Sequence, residues 1–140
     1  MKKKEIVLPR KLVNELLHCA QAAQDEEVCG FVSKSAEGQF HSYPVDNVAD
    51  QPSRRFLMDP EKQIEAIKSM RAKQEDLFAI YHSHPTAPAI PSATDIEQAA
   101  YSDTYYLIIS LNTKGVLEMR CFELLHDENI VEITLRMQEK

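Results

Sequence analysis

The sequence predicts an α/β domain built on a mixed sheet, and three observations carry that expectation. Apolar segments of strand length recur along the chain. Two helix-start signals, Pro9 and Asp59-Pro60, precede stretches of helical periodicity. The order is mixed, with helices between some strands and tight turns between others, which suits a mixed sheet better than an all-parallel one. The tally is about six strands and three helices.

Residues 9–24 read as the first helix, because Leu12, Val13, Leu16, Leu17 and Ala20 recur at helical spacing. Residues 27–33 read as a strand, and Ser35-Ala36-Glu37-Gly38 turns the chain into a second strand at 39–45, a hairpin. The polar, Pro-containing stretch 46–55 is a loop. Asp59 caps a second helix with Pro60 at its first position, and Ile64, Ile67 and Met70 are expected on one face. Residues 76–81 form a compact apolar run of strand length. A short helix over 92–101 follows, then a strongly apolar strand at 105–111. Residues 116–124 and 130–135 read as two further strands joined by His126-Asp127-Glu128-Asn129.

With 140 residues, 44% apolar and 27% charged, the chain has globular composition and the length of one domain, taken as 1–140. Its net charge of −6 argues against a nucleic-acid partner, whose phosphates call for Lys and Arg, and against an anionic membrane surface. Cys19, Cys29 and Cys121 are odd in number and form no CxxC pair, so neither a zinc ribbon nor a thioredoxin-type site is suggested. The apolar stretch after the basic start is too short for a signal sequence, and the longest apolar runs fall far short of the roughly 20 residues a membrane span needs. A cytoplasmic protein with reduced thiols is the expectation.

The chemistry lies in residues 81–95. His82 and His84 stand at i, i+2 at the end of an apolar strand, so both imidazoles point to one face. Pro85 stops the strand and leaves them at the rim of the sheet. Asp95 follows in the first turn of the next helix, within reach once the loop folds back. Two imidazoles and a carboxylate with a fourth position left to water form a common catalytic zinc set. A lone histidine is more often a satisfied core residue, and Ser92 with Asp95 also reads as a helix capping box. The joint pattern favours a metal. A base must accompany it, and Asp25, Glu26 and Glu27 precede an apolar strand. Strand parity sets Glu27 on the face of Cys29 and makes it the carboxylate most firmly built into the strand. A carboxylate at such a place is also commonly a surface residue, and Cys29 reads most simply as a small buried apolar residue.

Glu27-Val28-Cys29-Gly30, then His82-Ser83-His84-Pro85, then Pro91-Ser92-Ala93-Thr94-Asp95 resemble the signature of the JAMM (MPN-plus, Mov34/PAD-1) zinc metalloproteases. Every motif position is present, and the element order agrees over nearly the whole chain. The resemblance implies an α/β fold of the cytidine-deaminase-like type, a mixed curved sheet flanked by helices. It implies one Zn2+ held by His82, His84 and Asp95 with a bound water, Glu27 as general acid/base, and Ser92 as the donor that stabilises the oxyanion. It further implies hydrolysis after the carboxy-terminal Gly-Gly of a ubiquitin-like protein.

The loops at 46–55 and 85–91 leave little room for the insertions of deubiquitinating members, so the chain resembles the compact prokaryotic stand-alone type. Some of these act on sulfur-carrier proteins that also end in Gly-Gly. The alternative from another class is a non-catalytic MPN-type scaffold that binds a protein partner and dimerises, but such scaffolds lack part of the ligand set that is complete here. A nucleobase deaminase would need a P-C-x-x-C that is missing. His18, His41 and His126 have no ligand spacing. Arg54 and Arg55 read as a solvated loop pair, and Phe56-Leu57-Met58 either packs under the loop or lines a partner surface.

Overall fold

Alternating side chains begin the fold: Ile6 and Leu8 turn inward from β1 (Glu5–Pro9) while Val7 faces out, and Pro9 then releases the chain into α1 (Arg10–Ala22). The computed structural model describes residues 4–97, 104–111, 118–124 and 129–138. After α1 come β2 (Cys29–Ser35), β3 (Phe40–Val45), α2 (Pro60–Ala72), β4 (Glu75–His84), α3 (Ala93–Glu97), β5 (Tyr105–Ser110), β6 (Glu118–Leu124) and β7 (Ile130–Gln138).

The strands form one sheet in the order β1-β7-β6-β5-β4-β2-β3. The pairs β1–β7 and β4–β5 are parallel and the others antiparallel, so the mixed sheet expected from the element order is present. Seven strands are described rather than about six. The additional one is β1, whose two inward residues are too short an alternation to stand out beside a strong helix signal. Its partner is β7, far along the chain.

Each face of the sheet carries its own apolar layer. Leu12, Val13, Leu16 and Ala20 of α1 pack with Ile6, Leu8, Val32, Tyr81, Leu107 and Ile133 on one face. Ala66 and Met70 of α2 pack with Phe31, Ile80, Ile108 and Phe122 on the other. Asp59 caps α2 as expected, its side chain accepting from the Glu61 amide at 3.0 Å. The expected apolar face of that helix needs correction, because Ile64 is 55% exposed while Ala66 and Met70 are buried. Ile67 and Met70 of the expected face pack into the apolar layer with Ala66, and Ile64 lies at its solvent edge.

The β2–β3 hairpin closes through Gly38, whose φ of 85° suits a residue without a Cβ. The start of the short helix is as expected; the remainder of that stretch, the loop before β6 and His126 lie outside the described residues.

Candidate metal centre

The site is assembled at the end of β4 on the α2 face of the sheet. In register, His82 pairs with Cys29 of β2 and Ile108 of β5, and His84 pairs with Ser110. The i, i+2 spacing therefore puts both rings on one face, where they are 1% and 3% exposed. After Pro85 the chain doubles back. Ala89 is fully buried in the apolar layer, Ser110 Oγ donates to the Ala87 carbonyl at 2.7 Å, and His84 Nδ1 donates to the Pro88 carbonyl at 2.8 Å.

That return path delivers Asp95. Ser92 N donates to Asp95 Oδ2 at 2.8 Å and Asp95 N donates to Ser92 Oγ at 3.0 Å, a reciprocal capping box. The cap and the cluster are one arrangement, since the same Asp95 Oδ2 lies 3.1 Å from both His82 Nε2 and His84 Nε2. The two imidazole nitrogens are themselves 3.1 Å apart. Three electron-rich atoms thus form an equilateral triangle. With His84 neutral, its ring proton is committed at Nδ1 to Pro88, which leaves the Nε2 lone pair bare toward the other two. Such a convergence suits a small divalent cation.

Glu27 completes the group, offering a carboxylate oxygen so that the donor atoms of Glu27, His82, His84 and Asp95 all lie within 4.8 Å of one another. It precedes β2 and is held from two sides. Ser83, between the histidines and pointing the other way, accepts the Val28 amide at Oγ (2.8 Å), and its own amide donates to the Val28 carbonyl (3.0 Å). On the far side the Glu27 amide donates to the Pro52 carbonyl at 2.7 Å. Gly30 makes this closeness feasible, because Tyr81 lies directly over it where a Cβ would stand.

Burial sets the electrostatics. Glu27 is 4% exposed, and desolvation pushes its carboxyl up to about 7, with the Asp95 charge adding and His84 opposing. Its Oε1 has no hydrogen-bond partner among the described residues, and neither has His82 Nδ1. Desolvation likewise holds His82 below its ordinary value, keeping the ring neutral. Burial also acts to lower His84, but the hydrogen bonds to Asp95 and Pro88 outweigh it and the value is raised. Asp95 is held far below the carboxylate range, its burial overcome by His82 and His84.

All the residues expected from the sequence are therefore in one place: Glu27, His82, His84 and Asp95 in the cluster, with Ser92 beside it bonded to Asp95. Cys29 stays out, its thiol donating to the Val45 carbonyl at 3.3 Å and pushed up to about 12 by burial. Three contributors had no legible motif. They are the Pro88 carbonyl behind His84, Ser83 behind Val28, and Phe56, whose ring stacks on His82 at 4.5 Å between centroids. Phe56 was visible only as the start of an apolar triplet; of that triplet, Met58 is buried and Leu57 exposed.

Comparisons with known proteins bear on the family and the fold. Residues 9–124 match the family described as prokaryotic homologs of the JAB domain. A desampylase of Haloferax volcanii is 33% identical over 100 residues, 68% of this chain and 72% of that protein. A CysO-cysteine peptidase of Mycobacterium tuberculosis is 26% identical over 121 residues, 85% of this chain and 82% of that protein. The solution structure of a protein from Desulfitobacterium hafniense superposes with a TM-score of 0.82 at 31% identity, covering 96% of this chain and 93% of that one. A complete Glu, His, His, Asp constellation on a mixed sheet, within a family match that spans most of the sequence, means that this chain belongs to the prokaryotic homologs of the JAB domain and is a hydrolase of the JAMM/MPN family.

Proposed function

We propose that this chain is a zinc-dependent peptidase or isopeptidase of the cytoplasm that hydrolyses the bond after the carboxy-terminal Gly-Gly of a ubiquitin-like or sulfur-carrier protein. The observation that carries the reading is the 3.1 Å triangle of His82 Nε2, His84 Nε2 and Asp95 Oδ2, with Glu27 beside it. Tetrahedral zinc with bonds of about 2.0–2.1 Å separates its donors by roughly 3.3 Å, close to these edges. Two neutral nitrogens and one carboxylate, with no thiolate, are also the donor set of a catalytic rather than a structural zinc.

When bound there, zinc supplies a Lewis acid for the scissile carbonyl and makes water acidic enough to react near neutral pH. The chain's own residues supply proton handling and orientation. Glu27, a buried carboxylate whose donor atom lies within 4.8 Å of the three ligand atoms, is placed to take a proton from the attacking water and pass it to the leaving amine. Ser92 Oγ accepts the Asp95 amide and still has its hydroxyl proton to donate to the carbonyl oxygen as negative charge builds there. His84 is locked by Pro88 and His82 by the Phe56 ring, so the ligand triangle is set before substrate arrives. The relatives named desampylase and CysO-cysteine peptidase support a protein–adduct bond as the target. An extended Gly-Gly tail has no side chains and can enter a narrow site by backbone pairing.

The test is cleavage of a Gly-Gly-ended carrier fused through its last residue to a short peptide, beside an Ala-Ala counterpart. Cleavage of the first alone, abolished by a chelator and restored by zinc, is expected. Equal cleavage of both, or of neither with the metal in place, would overturn the substrate class.

A further inference from the structure

We infer that Asn47 is a positioning residue for Glu27, a single side-chain amide that fixes the base and the ring over His82 together. The inference rests on Glu27 being the proton-carrying group proposed above. Glu27 lies outside the ladder of β2, so the sheet does not hold its backbone. Its amide and its carbonyl both turn instead to the 46–58 loop. The amide donates to the Pro52 carbonyl at 2.7 Å, and the carbonyl accepts from Asn47 Nδ2 at 2.9 Å.

Asn47 does much more than this one contact. Nδ2 also donates to the Arg55 carbonyl at 3.1 Å and lies 3.5 Å from the Pro52 carbonyl. Oδ1 accepts the amides of Ala49 and Leu57, each at 3.0 Å. Three carbonyls face the amide nitrogen and two amides face the oxygen, which uses the full donor and acceptor capacity of an asparagine. Arg55 and Leu57, gripped from the two ends of one side chain, flank Phe56, and Phe56 stacks on His82 at 4.5 Å. Asn47 therefore connects the Glu27 backbone to a metal-site imidazole through one rigid group. Asp46 and Val48 tie the same loop down at its base through bonds to Asp59 and Leu57, so the loop itself does not depend wholly on Asn47.

Aspartate has the same shape and keeps the two accepted bonds, but it loses both donations and sets a negative charge against three carbonyl oxygens. Displacement of a catalytic group by about 1 Å costs as much as 100-fold in rate. The experiment measures kcat, KM and bound zinc for the wild type, Asn47→Asp, Glu27→Gln and the double variant, using the fused Gly-Gly carrier. The expected result for Asn47→Asp is a kcat lower by about 10- to 100-fold, a KM within about threefold, and zinc retained. In the Glu27→Gln background the same substitution is expected to cost little, since the group it positions is already disabled. A wild-type kcat in Asn47→Asp, or an equal loss in both backgrounds, would overturn the inference. Should Asn47→Asp fail to fold, Asn47→Gln replaces it: its longer arm displaces the same bonds, so a lowered kcat supports the role and an unchanged one refutes it. Turnover in Glu27→Gln equal to wild type would instead refute the base assignment on which the inference stands.

Discussion

Replacing Gly30 by alanine tests how closely β2 is packed against β3 and Tyr81 of β4 just beyond Glu27. An added Cβ would stand 2.5 Å from the Tyr43 carbonyl oxygen, 2.6 Å from the Tyr81 hydroxyl and 2.7 Å from a Tyr81 ring carbon. Ordinary contact begins near 3.4 Å, so the neighbours must retreat by nearly 1 Å. Neither can do so easily. The oxygen belongs to the backbone of β3, and Tyr81 is fully buried against α1. Overpacking of this kind costs about 1–3 kcal/mol, and a clash with backbone belongs at the upper end. For a chain of 140 residues, about 3 kcal/mol lowers Tm by roughly 10 °C. Thermal unfolding followed by circular dichroism reads this directly. Adding Tyr81→Phe removes the 2.6 Å contact but leaves the other two, so it is expected to restore only a part. A Gly30→Ala protein melting within about 2 °C of wild type would refute the reasoning, because a drop of that size is too small for an unrelieved backbone clash.

Three other substitutions probe separate parts of the account. Ser92→Ala removes the proposed oxyanion donor and the helix cap together, so kcat is expected to fall by about 10²–10³ and stability by about 1 kcal/mol; a kcat within threefold of wild type would remove Ser92 from the chemistry. Glu75 is buried, which raises its carboxyl, but hydrogen bonds from Tyr43 and Ser33 with the charges of His41 and Lys73 hold it below its ordinary 4.5. A lowered folded value stabilises the protein above about pH 4.5 and ceases to do so as pH falls through it. Tyr43→Phe is therefore expected to cost about 1.5–3 kcal/mol at pH 7, a gap that narrows in denaturant titrations below pH 4.5; a gap constant down to pH 3 would refute the linkage. Gln74 ends α2 with a φ of 58°, a conformation that glycine adopts freely, so Gln74→Gly is expected to raise stability by about 1 kcal/mol, and no rise in Tm would count against strain there.

The parts of this site that could be read from the sequence are those whose geometry is local. His82 and His84 share a face because strand residues two apart must, and Pro85 marks where the strand ends. Ser92 and Asp95 close on each other within one helical turn, and from spacing alone the cap could not be told from a ligand; the structure places Asp95 Oδ2 in the cap and also 3.1 Å from His84 Nε2. The supporting contacts come from distant chain positions and leave no spacing to detect. Ser83 meets Val28 across 55 residues, and Asn47 meets Glu27 across 20. The same holds for the fold. The α1 periodicity and the Asp59 cap were legible, whereas β1 depends on β7 for its pairing, and the exposure of Ile64 depends on how α2 sits against the sheet. Patterns of polarity foretell that an element is amphipathic more reliably than they foretell its rotation against a sheet.

The most direct test of the central claim is bound zinc per chain, measured by elemental analysis alongside turnover of the fused Gly-Gly carrier, for the wild type, His82→Ala, Asp95→Ala and Glu27→Gln. The account predicts about one zinc in the wild type and in Glu27→Gln, with turnover lost in the latter by several orders of magnitude. It predicts loss of both metal and turnover in His82→Ala and Asp95→Ala. Wild-type protein that binds no zinc when zinc is supplied, or Asp95→Ala that keeps its zinc and its activity, would contradict it.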